Sequence, residues 1–331
     1  MQPYERLERD FAKWAGFEPE QMVVCSSGTS ALHLAAEAMG LRDSRCAMPD
    51  FTMIACPRAV SMAGMRPAFV DCKKDLTIDV DKLHDACEKG RFEGVNDVAA
   101  IMPVHVYGRS CDMPAIADLA GKYDLRVIED LAEAHGLPPH PNTDAACWSF
   151  FRNKVIAGEE GGAVAFKDAK HAAHARQLRS LGFTDAHDYT HVPRGHNYRL
   201  ANSLASLIGT SLERVRENVA RRWIAYGEWD RACPEEWKMT LPEVPWVYSL
   251  RVPGMWSELQ TSIVSALRKR GFEARHGFKP CRRQEEYRSL PIPDEWESDR
   301  AAREVIYLPV DRPVPATEAE DLFETVKTMI G

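Results

Sequence analysis

The sequence predicts an α/β protein, a largely parallel sheet with helices on both faces. Three observations lead there. From residue 45 to residue 130 strand-like and helical runs alternate, the βαβα order of strands joined by crossover helices. Residues 99–106 form a continuous apolar run, the pattern of a strand buried on both faces. Arg126-Val127-Ile128-Glu129-Asp130 reads as a strand ending in two carboxylates, and ligands of such sheets gather at the carboxyl ends of strands.

The 331 residues exceed one ordinary core, so a large unit (1–233) and a smaller C-terminal unit (234–331) are expected. Apolar content is 45% and charged content 27%, which fits a globular chain. A net charge of −7 with no basic block disfavours a broad nucleic-acid-binding face. No apolar run reaches membrane-spanning length, and the first residues carry no signal-peptide core. Nine cysteines are scattered without a Cys-x-x-Cys pair, as in a cytoplasmic protein with reduced thiols and no metal site.

In chain order, residues 3–14 predict an amphipathic helix with Leu7, Phe11 and Trp14 on one side. Residues 22–25 predict a short strand. Ser26-Ser27-Gly28-Thr29-Ser30 then opens a helix that Gly40 closes, with Ser26 or Ser27 as its cap. Such a start leaves backbone N–H groups unpaired at the positive end of the helix dipole, where they can hold a phosphate. A simple capped helix is the alternative. Strand-like residues 65–71, a charged helix at 81–89 and a helix from Asp112, with Pro114 in its first turn, follow. Asp130 at its strand end is placed to meet a ligand or, alternatively, to cap a helix or pair with a cation.

Trp148 through Gly162 puts one lysine, Lys154, between an aromatic-rich apolar run and a Gly/Glu turn. A lysine in a partly apolar setting loses hydration, which disfavours its ammonium form and frees a nucleophilic amine. Schiff-base lysines are made this way. A solvated loop lysine is the alternative this window leaves open. Residues 162–166 read as a strand, 168–181 as a polar helix, and 183–196 as a loop whose histidines, His187, His191 and His196, with His174 nearby, are expected to be solvated. One long helical segment is predicted over 197–233, a length suited to bridging two units. Beyond it come strands at 246–252 and 305–310, a helix from Ser257 to Arg270 ended by Gly271, and a last helix behind the capping box Thr317-Glu318-Ala319-Glu320.

The helix start Ser27-Gly28-Thr29-Ser30-Ala31-Leu32, the strand end Ile128-Glu129-Asp130-Leu131-Ala132-Glu133-Ala134-His135-Gly136 and the stretch from Ser149 through Gly162 occur in that order. With Pro49-Asp50-Phe51-Thr52, Pro103-Val104-His105-Val106-Tyr107-Gly108 and Asn197-Tyr198-Arg199, the chain resembles the DegT/DnrJ/EryC1/StrS sugar aminotransferases over nearly its whole length. That family uses pyridoxal 5′-phosphate on the fold-type I scaffold. The resemblance implies a large domain with a mostly parallel, seven-stranded-type sheet between helices, and a smaller α+β domain.

It also implies residue roles. Lys154 matches the lysine that bonds the cofactor and moves protons. Asp130 matches the carboxylate that keeps the pyridine nitrogen protonated. Gly28, Thr29, Ser30 and Ser149 match the phosphate donors. Glu133 stands where the family has Gln or Glu beside the ring's O3′. Asn197 matches a residue that reaches the phosphate from the partner subunit, which implies a homodimer with shared sites. Met53 occupies the position of a ring-stacking aromatic, a weaker and more adaptable contact. The loop Pro138-Pro139-His140-Pro141-Asn142 lacks the usual glycines, and the N-terminus is short.

The motifs look most like perosamine-synthase-like members, so amino transfer from glutamate to a nucleotide-linked 4-keto-6-deoxy sugar is the expected reaction. Two other readings stand beside it. One is decarboxylation or elimination on an amino-acid-modified nucleoside. The other is a non-catalytic regulatory or binding protein. Arg275 and His276 are named as substrate contacts, with a solvated loop pair as the alternative.

Overall fold

The computed structural model describes residues 1–89, 98–184, 189–287 and 295–330. Seven strands, β1 (Met22–Cys25), β2 (Arg45–Pro49), β3 (Arg66–Val70), β4 (Val98–Ile101), β5 (Arg126–Asp130), β6 (Ala145–Ser149) and β7 (Gly162–Phe166), form one sheet in the order β1-β7-β6-β5-β4-β2-β3. From β6 through β3 every pairing is parallel, while β7 runs antiparallel to both β6 and β1. Two reversals cancel, so β1 points the same way as β5 and β6. The carboxyl ends of these three strands lie along one edge of the sheet, and that edge carries the site.

Helices α1 (Pro3–Ala15), α2 (Gly28–Ala38), α3 (Ala55–Met62), α4 (Val80–Lys89), α5 (Met113–Tyr123) and α6 (Ala169–Arg179) cover the sheet with α7 (Asn202–Glu213). The side chains of the strands alternate between two cores, as the pleat dictates. Val23, Cys25, Cys147 and Val164 pack with Ala31, Leu34 and Ala35 of α2. Met22, Val24, Trp148 and Ala163 pack with Leu7 and Phe11 of α1 and Ile208 of α7. Phe11 meets Trp148 and Phe150 edge-on at centroid distances of 5.2 and 5.0 Å. Each such pair adds roughly 0.5–1.5 kcal/mol beyond area burial.

A second, three-stranded antiparallel sheet, β8 (Val247–Arg251), β9 (Arg275–His276) and β10 (Val305–Pro309), has the order β8-β10-β9. Its core joins Tyr248, Leu250, Ile306 and Leu308 to α8 (Val215–Ala232), α9 (Ser257–Lys269) and α11 (Ala316–Ile330), while α10 (Glu297–Glu304) leads into β10.

Several local expectations change. The apolar run at 99–106 is a strand only as far as Ile101, because Pro103 has no N–H for a ladder. The chain then turns at Tyr107 and Gly108, whose φ values are +55° and +79°. The single helix expected over 197–233 is two helices that break at Arg214 (φ −102°, ψ 13°). The break lets Ile208 and Leu212 face the core under α1 while Tyr226 and Trp229 face the core of the three-stranded sheet. Thr317 lies inside α11 and Ser257 is the first residue of α9, so neither caps its helix. Of the histidines read as solvated, His174 and His191 are exposed, whereas His196 is half-buried, and His187 lies outside the described residues.

Candidate active site

The chain is drawn together around a cavity of about 530 Å³ at the carboxyl ends of β1, β5 and β6. Ser27, Gly28 and Thr29 line it from the start of α2, and Ser149 lines it from the end of β6. Ser27 is the N-cap: its hydroxyl accepts from the Ser30 N–H at 3.1 Å. A Cβ added at Gly28 would lie 2.7 Å from the Ser149 Cβ, and one at Gly162 would lie 2.2 Å from the Ser27 carbonyl oxygen. Glycine at both positions lets the helix start settle against the strand ends. The result is a cradle of backbone N–H groups and hydroxyls at a helix N-terminus, suited to a phosphate. Ser30 does not line the cavity; its hydroxyl is engaged by those of Ser26 and Ser27 at 3.0 and 2.9 Å.

The two carboxylates ending β5 separate because successive side chains of a strand alternate in direction. Asp130 enters the cavity. It accepts from the Ala132 N–H at 2.9 Å and the Cys56 thiol at 3.2 Å. Burial pushes its pKa up, against the pull of those two donors and of Lys154. Glu129 is buried elsewhere, accepting from the His140 N–H at 3.0 Å and from the Thr143 hydroxyl. It also pairs with His105 at 3.0 Å. His105 Nδ1 accepts from the Cys111 N–H at 3.1 Å, so Nε2 carries the proton that goes to Glu129.

Lys154 sits on the loop between β6 and β7. Three backbone hydrogen bonds fold this loop: Lys154 N–H to Phe151 O at 2.8 Å, Gly158 N–H to Phe150 O at 2.9 Å and Phe150 N–H to Gly161 O at 2.8 Å. From α8, Arg222 donates to the carbonyls of Asn153, Lys154 and Trp246 at 2.9, 3.1 and 2.9 Å. The Trp246 indole donates to Asn153 O at 3.2 Å. The Lys154 ammonium lies 3.9 Å above the Trp246 ring centroid and 3.7 Å from Glu133 Oε1. Burial lowers the Lys154 pKa, an effect Glu133 and Asp130 oppose. Glu133 accepts from the Tyr107 N–H at 2.8 Å, and burial pushes its pKa up to about 7 although Lys154 pulls it down. Glu133 is thus poised to hold or release a proton near neutrality.

Met53 lines the mouth and is half exposed, and Arg275 lines it beside Glu273, 3.8 Å away. His276 pairs with Ile306 in the second sheet and is not among the lining residues. Asn197 is exposed and does not line the cavity of its own chain. Sequence reasoning named neither Trp246, Phe278 and Tyr307, which wall the cavity from the C-terminal third, nor Cys56 behind Asp130. Only Trp246 and Tyr307 gave a signal, as aromatics on expected strands.

The residues fit pyridoxal 5′-phosphate. One largely buried lysine lacks a close hydrogen-bonded anion, a buried carboxylate stands across from it, and a Cβ would fill the phosphate-type cradle.

A model of the DegT/DnrJ/EryC1/StrS aminotransferase family matches residues 2–327. The GDP-perosamine synthase of Caulobacter vibrioides is 33% identical over 87% of this chain and 79% of its own. The dTDP-3-amino-3,4,6-trideoxy-alpha-D-glucose transaminase of Micromonospora megalomicea is 34% identical over 67% of this chain and 59% of its own. A Streptococcus pneumoniae chain solved in its PLP-form shares the fold, with a TM-score of 0.87 at 21% identity over 99% of this chain and 91% of its own.

Proposed function

The chain belongs to the DegT/DnrJ/EryC1/StrS aminotransferase family, and we propose that it uses pyridoxal 5′-phosphate to move an amino group from glutamate to a nucleotide-linked keto sugar. The observation that carries this reading is the convergence of Lys154, Asp130, Ser149 and Gly28 on one cavity. The activities of the two curated relatives point to the substrate class.

When bound, the cofactor supplies an aldehyde and a ring that takes up the electron pair left by a departing substrate proton. Gly28, Thr29 and Ser149, with Ser27 beside them, hold its phosphate. The Asp130 carboxylate pairs with the ring nitrogen's proton, and that cation offsets the burial that otherwise raises its pKa. Burial favours the free-amine form of Lys154, the group that would hold the cofactor and carry a proton on Nζ. Glu133 holds or releases the counterpart proton. Trp246, Phe278 and Tyr307 keep water from the amine, and Arg275 offers a cation to an anionic group on the substrate.

Asn197 serves the cavity of a partner subunit, so the working protein is a homodimer. The half-exposed Met53 and the exposed Phe151 at the mouth support this reading, since a partner would cover them. A cytoplasmic location suits a chain whose nine cysteines are all free thiols.

Borohydride reduction in the presence of pyridoxal 5′-phosphate is expected to fix the cofactor's mass on the peptide containing Lys154. In a separate, unreduced sample loaded with the cofactor, glutamate should yield one 2-oxoglutarate per site, and a screen of keto acceptors read by mass should find a nucleotide-linked sugar. Labelling of another lysine would overturn the Lys154 assignment. Turnover of an amine other than glutamate would move the reading to elimination or decarboxylation.

A further inference from the structure

One turn beyond the phosphate cradle, α2 carries His33 and Glu37, four residues apart and so on one helix face. The segment after α6 brings His196 to the same point. Glu37 Oε2 lies 3.3 Å from His33 Nε2 and 2.6 Å from His196 Nε2. The three ligand atoms all lie within 4.8 Å of one another. Side-chain exposure is 2% for His33, 8% for Glu37 and 25% for His196, so the cluster is buried but reachable from its His196 edge.

The hydrogen bonding is incomplete. His33 Nδ1 lies 3.1 Å from the Tyr198 hydroxyl. His33 Nε2 is buried with no hydrogen-bond partner, and it faces the Glu37 carboxylate. Glu37 already accepts a hydrogen bond from the His196 ring, and a single proton cannot bridge three atoms. A divalent cation can. Two imidazole nitrogens and one carboxylate oxygen are the donor set that zinc-class ions favour, with an outer hydroxyl fixing the ring of one histidine. A tetrahedral zinc site spaces its donors about 3.3 Å apart, which the His33–Glu37 pair already meets.

We propose that His33, Glu37 and His196 bind a zinc-class divalent cation that fastens the 196–198 segment to α2. The site lies apart from the cavity of Lys154. Tyr198 completes the fastening: its ring stacks on His196 at 4.8 Å, and its carbonyl accepts from the Ser26 N–H at 2.8 Å. Asn197 lies inside this fastened segment, so the cation sets the position of the residue assigned above to the partner's site. That consequence rests on the proposed function, whereas the cation binding does not.

The test uses the full chain, freed of metal with a chelator and titrated with Zn²⁺ and with Co²⁺. Expected are one ion per chain and the intense visible bands of four-coordinate Co²⁺. His196→Ala and Glu37→Gln should each weaken binding by about 100-fold, and Tyr198→Phe by about 10- to 100-fold. His196→Cys should retain binding and add a thiolate-to-cobalt charge-transfer band, which separates ligation from a purely structural role. Circular dichroism confirms that each variant is folded. Sub-stoichiometric binding by the wild type, or equal binding by wild type and His196→Ala, would overturn the proposal. Failure of the Lys154 labelling would leave it standing.

Discussion

Lys154 and Arg282 are both largely buried cations, and each lies against a tryptophan face. Lys154 Nζ is 3.9 Å from the Trp246 centroid and Arg282 Cζ 4.2 Å from that of Trp296. Their anions differ. Arg282 pairs with Asp50 and Asp299 and donates to the Ser298 hydroxyl at 3.0 Å, and its own backbone N–H binds Asp50 at 2.8 Å. Among the described residues Lys154 has one carboxylate within 4 Å, that of Glu133 at 3.7 Å. A cation bound to two carboxylates is held in place and ties the connection before β10 to the end of β2. A cation left short of partners can lose its proton and react. The burial is similar, and the satisfaction of each group separates a structural charge from a chemical one.

The sharpest way to break this comparison is to remove each cation in turn. Lys154→Ala is expected to cut turnover by about 10⁴-fold or more. Its melting temperature should hold or rise, since a poorly paired buried charge is gone. Arg282→Met should do the reverse and destabilise by about 3–5 kcal/mol, because Asp50 and Asp299 are left unpaired. Urea unfolding followed by circular dichroism measures both.

Glu133 gives the next largest effect. Its pKa is raised in the folded protein, from 4.5 to about 7, so the folded state binds its proton more tightly than the unfolded state. The associated stability is present below pH 4.5 and is lost as pH rises through 7. The loss is about 3 kcal/mol in the cofactor-free protein. Glu133→Gln keeps an acceptor for the Tyr107 N–H and should remove that slope, which unfolding curves across the window would show.

Smaller effects come from the two rings. Trp246→Leu removes a face that favours the ammonium, so the Lys154 pKa should fall further. The pH profile of reductive labelling would then move to lower pH, while Trp246→Phe should leave it in place. Trp296→Leu should cost only about 0.5–1 kcal/mol, because Arg282 keeps its carboxylates.

Much of the site was legible because it is local. Lys154, Asp130, Ser149 and Gly28 each stand at a strand end or helix start, and short-range pattern marks such points. The contacts that condition them are not local. Trp246 reaches the lysine loop from 92 residues onward, counting from Lys154, and Cys56 reaches Asp130 across 74. Arg282 meets Asp50 across 232 residues. No sequence pattern pairs them. The helix break at Arg214 was hidden because neither Gly nor Pro marks it, and the end of β4 was missed because the apolar run outweighed Pro103. His33 and Glu37 are readable as a helical pair, but nothing in the sequence ties His196 to them.

The strand β1 has a consequence for the order of folding. It sits at the edge of its sheet beside β7, with Cys25 opposite Gly162 and Met22 opposite Ala165. The helix start that forms the phosphate cradle leads directly out of it. Strands β2 and β3 pair across a single crossover through α3, whereas β1 must wait for a partner encoded far downstream. Long-range pairings of this kind close slowly. In refolding, helical signal should therefore return before the ability to hold the cofactor, and cofactor uptake should report the last strand to dock.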